Sequence, residues 1–493
     1  MRAFAGGYYK NLLAMYKYLE IPFRSQKFLF SFSTTECSKT PQSTIAGSKG
    51  ENMSGYLGMS RSSTGDGTPY FIHSSNNHRF PPVKPEGRTW FEHLVEVLYL
   101  WFAYTYFTFC CFWLPPATRT FTESAEGGVS IPTGRTESLR EYLKRIHLPE
   151  YFVRSYLLVL ISSVTTCPHE TLLDFPASDV TGYKEFMHKQ PHYMVEGGVC
   201  QIEKKLLEGV KIGMQRKVLS IEPLRNGEKR TGPILLRWEE LSTGVVHDRE
   251  FDQVVLAVSP YSVGKIYKKL SKQMSKIPCC EAEVVVHYDE KVIEETLNNQ
   301  SGVINEIYAK KQNSPYPSAK LCQLLESCKK LLGNTDAHLI QLRTTTHPTT
   351  MIFHKSSTPW SLLNNGQSVP SLVTEATHIH PPGVLLTTST IYPLRQDKVL
   401  GASRFVRVLR TPESRDVVEG LFRGKGVSMK RGYVDEKCEG GEIDDGEEWR
   451  NGDEGVWLCG GWCWDGMVLL EGCVRSAVRV ARELGVEAPW KVE

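Results

Sequence analysis

Residue types that can do chemistry occur in two short motifs of this chain. In THIH, His378 and His380 share one face of any strand, which suits a metal ion if a third ligand lies nearby. In Cys167–His169, a thiolate could stand beside a base, although adjacent residues rarely direct their side chains at each other. No third ligand or matching partner accompanies either motif. Packed or exposed side chains without catalytic chemistry are therefore the preferred interpretation, and no metal site is expected.

A phosphate-binding turn is the next pattern to consider. GxGxxG between a strand and a helix would place a pyrophosphate at the helix N-terminus, where free amides and the helix dipole favour negative charge. The sequence contains no such motif. The nearest string, GKGVSM at 424–429, ends in methionine where a small residue is needed, so we interpret it as a chance match.

The C-terminal stretch VWLCGGWCWDGMVLLEGCVRSAVRVARELGV, 456–486, combines a short apolar strand, a glycine turn and a helix from about Leu470. This arrangement brings backbone amides close to a large flat ligand. Plain packing is the alternative, with a buried strand and an amphipathic helix that turns Val474, Val478 and Ala481 inward.

Other predicted elements must position this stretch. Residues 191–224 predict a glycine turn, then a helix with Val199, Ile202, Leu206 and Leu207 inward, then the strand KVLSIEPL. PILLRWEEL and VVHDREF predict two further strands of a β-meander. FDQVVLAVSP, 251–260, is almost wholly apolar, which is typical of a strand buried on both faces of a parallel sheet.

Elsewhere the pattern predicts a helix near the N-terminus and a mixed sheet. Leu12, Met15, Tyr16 and Leu19 share a helical face, and 28–33 alternates like a strand. Strands are also predicted within 281–290, 383–394 and 403–410. Helix, meander and apolar strand in this order favour an α/β fold over a bundle or a sandwich.

Composition limits the function classes. A chain of 493 residues favours two domains, and a net charge of +3 does not indicate nucleic acid as a partner. The thirteen cysteines lack the regular spacing of a disulfide framework, which favours reduced thiols inside a cell. We interpret Cys459 and Cys463 as small buried hydrophobic side chains. The first residues show no secretory signal, so we expect an intracellular protein, either cytoplasmic or membrane-associated.

An uncharged run, VLYLWFAYTYFTFCCFWL at 97–114, ends at two prolines that stop a helix. As a helix it is about 27 Å long, close to the thickness of a bilayer core. Three interpretations remain open: a buried helix of a substrate domain, a monotopic membrane foot, or a membrane span.

Four segments resemble parts of the flavin-containing amine oxidase and phytoene desaturase superfamily. PHYMVEGGVCQIEKKLLEGVKIGMQRKVLSI, FDQVVLAVSP and VWLCGGWCWDGMVLLEGCVRSA are similar to its second and last FAD-binding segments. MRAFAGGYYKNLLAMY resembles the stretch that follows the first nucleotide-binding unit in fungal FAD/NAD(P)-binding proteins of this superfamily. The resemblance spans most of the chain, and the order of the segments carries it.

The resemblance implies an FAD site and names its residues. Val218 matches the strand position whose backbone contacts the adenine, and Gly460 matches the glycine at which the backbone approaches FAD. Leu470 and Glu471 match the helix start that faces the flavin pyrimidine edge, where the helix dipole stabilises the reduced ring. Trp462 and Trp464 are candidates to line the flavin.

The sequence departs from the family pattern at two places. Gly461 stands where the family has an acid, which removes a polar contact to the cofactor, and the first βαβ unit with its glycine-rich turn is absent. One explanation is that Met1 is an internal methionine of a longer gene product. The implied fold is α/β, an incomplete FAD-binding Rossmann-like domain of the amine oxidase type interleaved with an α+β substrate domain.

These segments define a predicted domain map. Its parts are a remnant after the first FAD-binding unit at 1–37, a flexible insertion at 38–69, a mainly helical part of the substrate domain at 70–190, the second FAD-binding segment with its meander at 191–260, a mixed-sheet substrate domain at 261–434, an acidic loop at 435–455, and the C-terminal FAD-binding segment at 456–493.

Two functions follow as hypotheses. The first is an FAD-dependent oxidoreductase that transfers a hydride from a small apolar or amine substrate to the flavin, with no catalytic acid or base that the motifs identify. The second is a non-catalytic, membrane-associated or binding protein that has lost its cofactor. Flavin absorbance of the purified protein distinguishes them.

Overall fold

The structure is a computed structural model. It describes residues 3–35, 69–74, 84, 88–118, 120–123, 130–133, 135–224, 232–293, 337–345, 349–354, 367–380, 383–391, 393–422 and 449–492. Residues 38–68 of the insertion predicted at 38–69, the GKGVSM string and 435–448 of the acidic stretch lie outside the described residues, whereas Pro69 begins β4.

The helices and strands of the described residues have the following bounds. The helices are α1 Lys10–Tyr18, α2 Trp90–Trp113, α3 Leu139–Arg145, α4 Glu150–Phe152, α5 Leu158–Thr165, α6 His169–Leu173, α7 Ala177–Met187, α8 Cys200–Leu207, α9 Pro260–Ile266, α10 Ser271–Met274, α11 Pro412–Phe422 and α12 Leu470–Glu483. The strands are β1 Ala3–Ala5, β2 Phe23–Ser25, β3 Lys27–Thr35, β4 Pro69–Ser74, β5 Thr120–Glu123, β6 Ser130–Thr133, β7 His192–Val195, β8 Arg216–Pro223, β9 Ile234–Glu240, β10 Val246–Phe251, β11 Val254–Leu256, β12 Cys279–His287, β13 Ala337–Thr345, β14 Thr349–His354, β15 Gln367–Ser371, β16 Thr374–His380, β17 Val384–Thr388, β18 Val399–Val408 and β19 Val456–Leu458.

A large mixed sheet joins distant parts of the chain. Its strand order is β15-β14-β12-β17-β16-β13-β3-β4, with β18 on the other edge of β12. The β13–β3 pair is parallel, whereas the other pairs are antiparallel. The strands predicted within 281–290, 383–394 and 403–410 are confirmed as β12, β17 and β18. The chain is therefore a mixed α/β protein.

The N-terminal elements follow the predicted pattern with one difference. Leu12, Met15 and Tyr16 are buried on one face of α1, as predicted. The alternation expected for 28–33 is wrong, because Phe28, Leu29, Phe32 and their neighbours in β3 are almost all buried. β3 is an interior strand with β13 on one edge and β4 on the other, and residues that point to both of its faces are buried, so protein covers both faces.

Helices cover the sheet and enclose the main apolar core. The helices α1, α2, α3, α5 and α7 contribute to this core together with β3, β13 and the start of α12. Buried aromatic rings such as Phe28, Phe107, Tyr142 and Phe175 fill it. Burial of rings of this size supplies a large part of the apolar area that stabilises a domain.

The C-terminal strand pairs with the apolar strand that precedes α9. The residues Val254, Val255 and Leu256 of β11 lie parallel to Val456, Trp457 and Leu458 of β19. The strands β8, β9 and β10 form a separate antiparallel meander, as predicted. A second apolar core joins β8, β9, α9, α10 and β19.

Two burial predictions in this region are wrong. The strand expected to be buried on both faces has only three residues, and Val255 is 46% exposed. On α8 only Ile202 is buried, whereas Val199, Leu206 and Leu207 are exposed. The physical reason is that, among the described residues, β11 has one partner strand and nothing covers the outer face of α8.

Candidate functional site

A cavity of about 320 Å³ lies where α1, α7 and α12 converge. Residues from the starts of α1 and α12, from one face of α7 and from the loop before α12 line it, with one contribution from α11. They are Gly7, Tyr8, Lys10, Asn11, Ser178, Asp179, Gly182, Tyr183, Phe186, Arg415, Trp464, Asp465, Gly466, Glu471 and Arg475. The cavity therefore combines aromatic walls with charges of both signs.

The turn between β19 and α12 depends on a glycine. Gly460 has φ +141°, which side chains rarely adopt. Its N–H donates to the Ser476 hydroxyl at 2.9 Å, and the same hydroxyl lies 3.0 Å from its carbonyl oxygen. Ser476 belongs to α12, so the helix holds the turn at the end of the parallel strand pair.

Close packing explains the next glycines. A Cβ at Gly461 would lie 3.0 Å from the Leu469 carbonyl oxygen, so a larger side chain here would shift the loop before α12. A Cβ at Gly472 would lie 2.2 Å from the Trp464 ring. The Trp464 indole therefore lies directly on the first turn of α12, and Arg475 covers its ring at 5.2 Å.

The N-terminus of α12 has no side-chain cap. Glu471, in its first turn, caps another helix instead. One carboxylate oxygen accepts hydrogen bonds from the Asn11 backbone N–H at 3.0 Å and from the Asn11 side-chain amide at 2.7 Å, and the other accepts from the Leu12 N–H at 3.1 Å. Glu471 is buried, so this carboxylate satisfies amides at the start of α1 across the whole length of the chain.

The other residues that the sequence indicated lie at different places. Leu470 starts α12 and packs against the main core. Trp462 is buried in the second core, where its indole N–H donates to the Val258 carbonyl at 3.0 Å. Val218 is half-buried in β8 beside the same core. The structure thus brings Gly460, Gly461, Leu470 and Glu471 together, but Trp464 is the tryptophan that lines the cavity.

Sequence reasoning missed a buried ion cluster in the cavity wall. The Asp179 carboxylate lies between two guanidinium groups, 3.7 Å from Arg410 and 3.4 Å from Arg415. Arg410 also donates to the carbonyls of Trp464 and Gly466. Burial raises the pKa of Asp179, while the two guanidinium groups act in the opposite direction. The charged residues of this cluster are far apart in the chain, so no local sequence pattern could have predicted it.

Several polar atoms of this cluster have no hydrogen-bond partner. They are Oδ2 of Asp179 and Nε and Nη1 of Arg410. A buried polar atom without a partner costs about 1–3 kcal/mol, so such atoms commonly mark a bound water, ion or ligand. Asp179 lines the cavity, so this incompletely satisfied ion cluster lies directly beside it.

Tyrosine rings form the aromatic wall. The rings of Tyr8 and Tyr183 meet edge to face at 4.7 Å, and Tyr8 lies 6.0 Å from the Trp464 ring. Burial raises the pKa of both tyrosines well above the ordinary value, so they stay neutral phenols at physiological pH. Such a wall suits an apolar group or an organic cation.

The two sequence motifs considered first are not arranged for catalysis. His338 lies 5.5 Å from His378 and 4.8 Å from His380 between ring centroids, but no group of three or more potential ligands among the described residues is arranged to hold a metal ion. Cys167 donates to the Thr165 carbonyl, and His169 lies 2.8 Å from the Thr374 hydroxyl. Burial raises the pKa of the Cys167 thiol, which disfavours a reactive thiolate.

Comparison with known proteins adds little at this point. No family model matches the chain, and no curated protein matches its sequence. Among solved structures, the chain is similar to cyclohexylamine oxidase from Brevibacterium oxydans IH-35A, with 10% identity and a TM-score of 0.42 over 98% of this chain and 87% of that one. A likeness at this level carries no argument about function.

Proposed function

We propose that this chain is an FAD-dependent oxidoreductase of the amine oxidase type, acting on a small apolar or amine substrate. The observation that carries the proposal is the unit formed by β19, Gly460 and α12. A parallel strand ends in a glycine with positive φ and leads to a helix whose first turn no side chain caps. Such a unit offers backbone amides and a positive dipole end to an electron-rich ring.

In this proposal the described residues would hold the flavin end of the cofactor. Gly460, whose N–H already donates to the Ser476 hydroxyl, would let the backbone approach the ring closely. Leu470 would bring a backbone amide to it, and Gly461 leaves room for the loop that precedes α12. The carboxylate of Glu471 points to α1 and so does not oppose a negatively charged ring at α12. Bound there, FAD would supply the acceptor for a hydride.

The adenine and pyrophosphate end has less support. Val218 is the position that we assign to the adenine, on the strength of the sequence resemblance alone. No glycine-rich turn of the GxGxxG type occurs in the sequence, and β11 has one unpaired edge among the described residues. The proposal therefore concerns the half of the site that the described residues form.

The residues of the cavity have separate tasks in this proposal. Tyr8, Tyr183 and Trp464 would orient the substrate by apolar and cation–π contacts and exclude water. The Asp179 carboxylate, which lines the cavity, would accept a hydrogen bond from an amine nitrogen. Acidic and basic side chains balance in the lining, so charge alone does not choose between an amine and a neutral substrate.

The first test is whether the protein holds FAD. The purified chain is incubated with FAD, passed through a desalting column and examined for flavin absorbance. We expect retained flavin that a panel of benzylamine and decylamine bleaches without oxygen. A chain that is folded by circular dichroism and remains colourless would refute the proposal.

A pair of glycine variants makes the test specific to the cavity. Gly182 lines the cavity and Gly420 lies in α11, and at each an added Cβ meets nothing within 4 Å. We expect Gly182→Leu to keep FAD and to lose bleaching by amines, because the new side chain occupies the substrate space. Gly420→Leu should behave as the wild type.

A second candidate is a non-catalytic binding protein. The exposed Val255 and Val258 beside the unpaired edge of β11 favour it, together with the missing phosphate turn. Under this candidate the folded chain takes up no FAD, and both glycine variants lack any flavin signal.

A further inference from the structure

The outer face of α2 carries an unusual amount of exposed aromatic surface. The helix is 24 residues long, and a buried stripe from His93 to Cys111 packs against the main core. Its other side exposes large apolar side chains from end to end. They are Trp90, Phe91, Leu94, Leu98, Trp101, Phe102, Tyr104, Tyr106, Phe109, Phe112 and Trp113. A patch of this extent marks a contact surface.

The charges around this face are few and mostly positive. Glu92, in the first turn, is its only exposed charged residue. Lys84 and Arg88 precede the helix, and the Lys84 ammonium lies 5.7 Å from the centre of the Trp90 ring. Lys184 of α7 donates to the Tyr104 hydroxyl and covers its ring at 4.0 Å.

We propose that this face of α2 docks on the surface of a lipid bilayer that contains anionic lipid. Tryptophan and tyrosine are the side chains enriched at the membrane interface, and they make up much of the face. Cations beside the aromatic rings complement lipid phosphates. A protein partner would have to cover this long apolar stripe, and the stripe has too few charged residues to fix the position of such a partner along the helix.

The helix lies in the plane of the interface and does not span the bilayer. It is long and apolar enough to cross a membrane, and 39% of its most apolar window is buried. However, the helix contacts the rest of the protein along its whole length. The Glu96 carboxylate accepts hydrogen bonds from two tyrosine hydroxyls, and the Tyr106 hydroxyl donates to the Ile146 carbonyl at 2.8 Å. Near the end of the helix, the Phe112 ring packs against the His188 ring. A spanning orientation would draw this packed domain into hydrocarbon.

The docking face is joined to the cavity through a single helix. On α7, Lys184 contacts α2, while Gly182, Tyr183 and Phe186 line the cavity. Phe186 is also exposed, so one wall of the cavity reaches the protein surface. If the proposed oxidoreductase function holds, its substrate is a membrane-dissolved amine or apolar molecule. That consequence rests on the proposed function, whereas the docking does not.

Vesicle flotation tests the docking directly. The full chain is mixed with vesicles of phosphatidylcholine, alone or with phosphatidylserine, and floated on a density gradient. We expect it to rise with both, with a larger bound fraction when phosphatidylserine is present and a smaller gain at high salt.

Matched variants identify the face. Trp101→Ser with Phe102→Ser removes side chains that are 54% and 64% exposed at the middle of α2. Val245→Ser with Val246→Ser removes side chains that are 50% and 51% exposed in the meander. We expect the first pair to lower the vesicle partition coefficient at least ~10-fold and the second pair to leave it unchanged.

Three results would overturn the proposal. The wild-type chain could stay at the bottom of the gradient with both vesicle types, or the aromatic pair could float like the wild type. Light scattering could also show a dimer that the aromatic pair dissociates while no chain floats, in which case a second copy covers the face. Flavin content does not enter these measurements, so failure of docking and failure of the proposed function are distinguishable.

Discussion

The carboxylate of Glu471 provides the sharpest test of how the chain is held together. It accepts three hydrogen bonds, two of them from backbone amides of the first turn of α1, and the side chain is 2% exposed. Asn11 and Glu471 line the cavity but are only 1% and 2% exposed, so the amides of Asn11 and Leu12 lose their acceptor in a nearly dry place when the carboxylate is removed.

The size of the effect follows from those contacts. Each buried amide left without an acceptor costs about 1–3 kcal/mol, and the Asn11 side chain can turn away, so we expect Glu471→Ala to lower the free energy of unfolding by about 3–5 kcal/mol. Glu471→Gln keeps one acceptor oxygen but loses the charge that favours a helix N-terminus. It should cost about 1.5–3 kcal/mol.

Urea unfolding followed by circular dichroism measures these losses, with the midpoint and slope compared among variants. Glu483→Gln is the control, because Glu483 is exposed at the far end of the same helix and should change stability by less than about 0.5 kcal/mol. A double-mutant cycle with Asn11→Ala isolates the contact and should give a coupling of about 1–2 kcal/mol.

The reasoning fails if Glu471→Ala unfolds at the wild-type midpoint, or if the losses from Glu471→Ala and Asn11→Ala simply add. A flavin contact would look different: Glu471→Gln would then weaken FAD binding while leaving the stability of the cofactor-free chain unchanged. The same urea series, run with and without FAD, separates the two roles.

Three further outcomes are expected from urea unfolding. Gly472→Ala should lower the free energy of unfolding by several kcal/mol, because its methyl group would lie 2.2 Å from the Trp464 indole packed on α12. Gly420→Ala, whose methyl group meets open space, should be neutral or slightly stabilising. Equal unfolding midpoints for the two variants would contradict this packing. Burial lowers the pKa of His338 to about 2 and of His378 to about 3, so these histidines take up protons in the unfolded chain at a higher pH than in the folded one. The free energy of unfolding should therefore fall as pH drops below about 6.5, by about 1.4 kcal/mol per pH unit for each histidine. A flat profile between pH 7 and 5 would refute this. Arg410→Met should cost about 3–5 kcal/mol, because it removes one of the two cations beside the buried Asp179 carboxylate and leaves two loop carbonyls without their donor. A loss below about 1 kcal/mol would show that the Arg410–Asp179 pair is dispensable.

Local elements were predictable because their signals are local. The apolar period of α1, the strands of the meander, and the strand, turn and helix near the C-terminus all follow from residues within a few positions of one another. At Gly460 the sequence predicted a close approach of the backbone to a ligand, whereas the positive φ of +141° is known only from the structure.

Burial was harder to predict, because it depends on what lies opposite. Leu206 and Val255 belong to apolar patterns typical of a covered surface, yet both are exposed among the described residues. Conversely, the alternation of β3 suggested one exposed face, but that strand has neighbours on both edges and both faces covered. Periodicity reports which face is apolar and cannot report how many layers pack on it.

The sequence by itself determined the α/β class, the elements on each side of the glycine turn and the long apolar helix. Only the tertiary structure decided the site: it turned Glu471 towards α1, put Trp464 rather than Trp462 at the cavity, and surrounded Asp179 with two guanidinium groups. These contacts join residues that are hundreds of positions apart. Their partners are chosen by packing and by the need of buried polar groups for a partner, and neither leaves a mark in the local sequence.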